Sequence, residues 1–159
     1  MAMHTWFECK IRYEKTMENG MIQKVTESYL VDALSFTEAE ARIIEEMTPF
    51  ISGEFTVSDI KRANYSELFP SDEESADRWF KCKLIFITLD EKSGAEKKTS
   101  TQVLVQAADL RDAVKKLDEG MKGTMADYQI GMVSETPLMD VYPYSAEPND
   151  KPEFDPSKA

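Results

Sequence analysis

Cysteine is scarce in this chain, with Cys9 and Cys82 the only two in 159 residues. That is too few for a disulfide scaffold, and it makes the cytosol, with reduced thiols, the expected compartment. Histidine is scarcer, with His4 alone. A Ser-His-Asp or Cys-His site would have to use it, close to a terminus expected to fray. Glycine numbers six, and none forms a P-loop, a Gly-x-Gly-x-x-Gly turn or a Gly-x-Ser-x-Gly elbow; His-Glu-x-x-His is also missing. No apolar run approaches the roughly 20 residues of a membrane span. No basic region followed by an apolar one marks a signal peptide. Met1-Ala2 reads as a leader ahead of a start at Met3. Bases are also short: 19 against 30 acids, for a net charge of −11. A groove gripping nucleic-acid phosphates needs clustered Lys and Arg, so direct nucleic-acid binding is not expected. With no catalytic, metal or cofactor constellation in view, the expectation is a protein that is not an enzyme.

What is present is globular: 42% hydrophobic, 10% aromatic and 31% charged residues. The most informative feature is an internal repeat. Trp6-Phe7-Glu8-Cys9-Lys10-Ile11 reads against Trp79-Phe80-Lys81-Cys82-Lys83-Leu84, 73 positions on. Tyr29-Leu30-Val31-Asp32-Ala33 then matches Val103-Leu104-Val105-Gln106-Ala107, and Leu68-Phe69-Pro70 matches Val141-Tyr142-Pro143. The chain divides into a unit at 3–70, an acidic connector at 71–78, a second unit at 79–144 and a mobile, proline-containing tail at 145–159.

Both units give the same local reading. Phe7, Cys9, Ile11 and Tyr13 alternate with polar neighbours, as in a half-buried strand. Asn19-Gly20 is a hairpin turn, because both residues tolerate positive φ; Lys92-Ser93-Gly94 holds that place in the second unit. A second strand runs to about Ala33 and Ala107. Ser35 with Glu38 forms a capping box, and Asp109 is the matching N-cap. Positions 36, 39, 43 and 47 form one apolar helical face. Arg42 follows Glu38, and Lys116 follows Asp112, by four residues as supporting pairs. A last extended segment, bent or split in two, ends each unit. The expected fold class is α+β: a tandem duplication of a strand-strand-helix-strand(-strand) unit, mainly antiparallel, with one helix per unit and a pseudo-twofold relation. A unit of about 65 residues buries little alone. The two are therefore expected to share one core, with edge-to-edge pairing into one continuous sheet favoured over two layers.

Alternation places Trp6, Glu8 and Lys10 on the strand face opposite Phe7 and Cys9, and Trp79, Lys81 and Lys83 opposite Phe80 and Cys82. Such stripes suit partner or ligand contact, the ring giving area and the ammonium charge. The competing reading has each Trp covering its own sheet edge or packing between units. Candidate binding residues are thus Trp6, Lys10, Trp79, Lys81 and Lys83. Cys9 and Cys82 face inward and read as small buried hydrophobes rather than a metal or redox pair. Glu38, Glu40, Glu45 and Glu46 are spread around a helix and read as solvated surface.

The run Trp6 to Tyr13, followed by Val25-Thr26-Glu27-Ser28-Tyr29-Leu30-Val31-Asp32-Ala33 and on to Ala41, resembles a domain-of-unknown-function family. Its members are small uncharacterised proteins from Bacteroides-type gut bacteria and their phages or mobile elements. The resemblance covers most of 3–144 and implies no activity and no catalytic residue. In plan alone, the tandem units are also similar to a eukaryotic-type large-subunit ribosomal protein, but the basic residues that would hold rRNA are missing.

The leading functional expectation is a cytoplasmic, non-enzymatic binding or adaptor protein acting through a protein surface, with self-association as a further property. One alternative is a sponge that sequesters a nucleotide-like molecule, with Trp6 and Trp79 stacking a base and Lys10 and Lys83 meeting phosphates. Another is an acidic DNA mimic. Charge asymmetry weakens the mimic: the first unit has 12 acids against 7 bases, the second 10 against 9. It also makes the Lys81 and Lys83 face the expected place for an acidic partner.

Overall fold

The computed structural model describes residues 5–124 and 127–143. His4, Met1-Ala2 and residues 145–159 lie outside the described residues. The fold is α+β, with ten elements among the described residues, in the order β1 (Trp6–Thr16), β2 (Ile22–Asp32), α1 (Phe36–Met47), β3 (Phe55–Ala63), β4 (Glu67–Phe69), β5 (Arg78–Leu89), β6 (Glu96–Ala107), α2 (Leu110–Gly120), β7 (Asp127–Glu135) and β8 (Leu138–Tyr142).

Each element forms for a local reason. In the first hairpin, Gly20 takes φ +82° and Asn19 Oδ1 accepts the Met21 N–H at 3.0 Å. In the second, Gly94 takes φ +73° and Asp90 Oδ1 accepts the Lys92 N–H at 2.9 Å. Ser35 Oγ caps α1 through the Glu38 N–H at 3.1 Å, and Asp109 Oδ1 caps α2 through the Asp112 N–H at 2.8 Å. The acid three residues into each helix reaches back one residue further than a capping box would. Glu38 accepts from the Leu34 N–H, and Asp112 from the Ala108 N–H. The Glu38 carboxylate is thereby held at the helix entry, while the Arg42 guanidinium donates to the Pro143 carbonyl at 3.1 Å.

The strands form two four-stranded sheets rather than the one continuous sheet expected. The first has the order β3-β1-β2-β8, the second β4-β6-β5-β7. β4 pairs in parallel with β6, and β8 lies beside β2, so each short strand closes one edge of its sheet and leaves β3 and β7 as the other outermost strands. By compactness, the described residues up to Ala63 group with those from Asp140 onward, and Asn64–Met139 form the other unit.

In the first unit, α1 buries Ala39, Ile43 and Met47 against Phe7, Cys9, Ile11 and Val31. Phe36, expected on that face, is 49% exposed and touches the core edgewise, its ring 4.9 Å from that of Phe7. In the second unit, α2 buries Ala113 and Leu117 against Phe80, Cys82, Leu84 and Val105. Each unit thus has its own cluster of buried residues. A β-bulge interrupts the β1–β3 register between Lys10 and Ile11, and another interrupts β5–β7 between Lys83 and Leu84.

Candidate functional site

The face of each sheet turned away from its helix carries the residues singled out from sequence. Trp6 is only 4% exposed and Trp79 only 5%. Leu30 and Leu104, on the same faces by strand register, are fully buried. Neither indole is an open platform, so of the two readings open at the sequence the covered one fits: alternation fixes which face a residue takes, not whether that face is covered. Base stacking on Trp6 and Trp79 thereby loses its geometric basis.

The lysines differ between the units. Lys10 is half-buried and stands opposite Asp59 of β3, while its neighbour Glu8 stands opposite Lys61. Charge on the first sheet is thus answered across strands. Lys81 stands between Leu104 and Ser134, and Lys83 between Gln102 and Met132. Both are half-buried, and neither makes an ion pair within 4 Å among the described residues. Glu135 is near in sequence but registers with Phe80, on the α2 side, where Arg78 meets it at 3.7 Å. Two ammonium groups on one face therefore have only uncharged cross-strand neighbours, in a chain with a large acid excess.

The thiols are not poised for chemistry. Burial, with Glu8 and Asp59 adding to it, pushes Cys9 up to about 12, and burial alone pushes Cys82 up to about 11. Both are free. Among the described residues, no group of three or more His, Cys, Asp or Glu side chains is placed to hold a metal ion.

One polar cluster escaped the sequence reading, and a second was read only as its Asp112–Lys116 pair. In the first unit, Glu27 Oε1 accepts from the Tyr13 hydroxyl at 3.0 Å and from the Tyr29 hydroxyl at 2.9 Å. The Tyr29 ring stacks on Tyr142 of β8 at 6.1 Å. Burial, then the hydrogen bond to Glu27, raises the Tyr29 hydroxyl above its ordinary range; burial, then Asp140 and Glu46, pushes Tyr142 up to about 12. The available signal was an acid at position 27 interrupting the apolar alternation Tyr29, Val31, Ala33. In the second unit, Lys116 Nζ donates to Glu73 at 2.8 Å, Asp112 at 2.9 Å and Ser71 at 3.3 Å. These contacts, Glu73 first, hold its ammonium above the ordinary lysine range against the opposing effect of burial. It lines a surface depression of about 720 Å³ with Phe69, Pro70 and Gly120. Because Lys116 is already satisfied, this depression offers no free cation to a ligand.

Residues 5–144 match the family described as Domain of unknown function (DUF4494). The chain belongs to this family. A search of curated proteins finds no match. The DUF4494 match spans both units and all ten elements, so the family corresponds to the two sheets together. No helix among the described residues of this DUF4494 protein is long and apolar enough to cross a membrane.

Proposed function

We propose that this DUF4494 protein is a non-enzymatic binding protein that receives an acidic protein partner along the β7 side of the second sheet, where Lys81 and Lys83 remain half-exposed while Trp79 and Leu104 on the same face are buried. The observation that carries the reading is the contrast between the two sheets. Lys10 faces Asp59 across the first sheet, whereas Lys81 and Lys83 face Leu104, Ser134, Gln102 and Met132 across the second. A complementary acidic surface would supply the missing charge and speed encounter despite the overall −11. The setting is the cytoplasm, a reading that rests on the two free thiols. The two halves are the product of a tandem duplication. Support comes from the Trp-Phe-x-Cys-Lys repeat and from bulges at Lys10/Ile11 and Lys83/Leu84, 73 positions apart.

The test is affinity capture from host lysate with wild type and with Lys81→Glu plus Lys83→Glu. The expected result is an acidic partner captured by wild type, released by salt and lost with the double reversal. An identical catch from both baits overturns the reading.

A further inference from the structure

The partner's mode of contact follows from the strand beside the lysines. β7 is the outermost strand of the second sheet among the described residues. An outermost strand leaves a row of backbone N–H and C=O groups without ladder partners, and proteins blunt such edges with charge or proline. The outer strand of the first sheet is blunted in this way: β3 carries Asp59, Lys61 and Arg62. β7 carries its charges only at its two ends, Asp127 and Glu135; the seven residues between them, Tyr128 to Ser134, contain neither charge nor proline, and a bulge at Gly131 is the one feature that interrupts its pairing with β5. Within that run Gly131 and Met132 are exposed.

Lys81 and Lys83 lie one strand further in, two residues apart on one face, so their Cα atoms are about 6.7 Å apart. That is also the spacing of alternate side chains on any strand laid against β7. The added strand would run about 10 Å from β5, two inter-strand spacings away. A lysine and a glutamate can close that distance from opposite sides, above Met132 and Ser134. Neither of those side chains is charged, and the nearby Glu135 carboxylate points to the other face, toward Arg78.

We propose that β7 accepts an extended segment of the partner as an added edge strand, with acidic side chains at alternate positions meeting Lys81 and Lys83. Main-chain hydrogen bonds to β7 supply the general affinity, and the two ammonium groups select for the alternating acids. This inference rests on the lysine-face function proposed above and specifies its partner.

The experiment uses the full chain and three synthetic nine-residue peptides. The first alternates glutamate with valine or threonine. The second is the same sequence with alternate backbone amides N-methylated. The third groups the same residues into an acidic half and an apolar half. Binding is followed by titration and by NMR amide exchange across β7. The expected result is binding of the alternating peptide with slowed exchange in Tyr128–Ser134. The N-methylated and grouped peptides, and the variants Lys81→Glu plus Lys83→Glu and Lys81→Gln plus Lys83→Gln, should each weaken binding at least about tenfold. Unfolding curves confirm that both variants remain folded. Equal binding of the N-methylated peptide overturns strand addition while leaving the lysine face standing. If no peptide binds but lysate capture still depends on the lysines, strand addition alone falls. If neither depends on them, both readings fall.

Discussion

Cys9 and Cys82 keep their protons in the fold well beyond the pH at which an exposed thiol loses its own. The ordinary value of 9.0 rises to about 12 for Cys9 and to about 11 for Cys82. Above pH 9 the unfolded chain releases thiol protons that the folded chain retains, so stability falls as pH rises. The contribution is intact below about 9 and is lost through about 11 to 12. Tyr142, pushed up to about 12, acts in the same direction from about 10 upward. Urea midpoints measured from about pH 8 to about pH 11 should therefore decline. The decline should be shallower in Cys9→Ala plus Cys82→Ala; an unchanged slope would contradict burial as the cause. The inward placement of both thiols was legible from alternation alone. The Glu27 cluster was not, because it needs Tyr13 and Tyr29 brought to one carboxylate across the β1–β2 ladder. Tyr29→Phe removes one donor to a part-buried carboxylate and should cost about 1 kcal/mol in urea unfolding.

At the level of elements, strands, turns and caps could be read from sequence because their causes are local. Ser35 and Asp109 cap their helices as expected, and Asp109→Ala should lower stability by about 1 kcal/mol, seen as a lower urea midpoint. The split of each final segment was also anticipated, but not its destination. Which sheet a three-residue strand joins is decided by packing, not by its own sequence. β4 illustrates this: Phe69 lies against Gly120 at the end of α2, where an added Cβ would come within 2.9 Å of the ring. Gly120→Ala should therefore destabilise the protein by about 1–3 kcal/mol, through displacement of Phe69. A stability equal to wild type would mean the ring moves freely.

For the whole molecule, the two sheets do not follow the two halves of the sequence. The sheet of the first unit ends in β8, and that of the second ends in β4, so each half of the sequence supplies a strand to the other half's sheet. A fragment of residues 1–70 lacks β8 and leaves β2 with an open edge. It should show no cooperative unfolding transition by circular dichroism, whereas the full chain should unfold as one unit. Trp6 and Trp79 offer one reporter in each unit. Single-tryptophan variants, with the other replaced by Phe, should give coincident urea transitions. Two separated transitions would mean that the shared strands do not couple the units.

The same exchange of strands sets a timetable for synthesis. Chains generally fold from the N-terminus as they emerge from the ribosome. Here β1, β2, α1 and β3 are all made by residue 63, but the strand that closes their sheet arrives only with Leu138–Tyr142. The second sheet has the opposite order, since β4 is made before β5 or β6 exists to receive it. The first-made sheet is thus the last to be finished, and the edge of β2 stays open for most of the chain's translation.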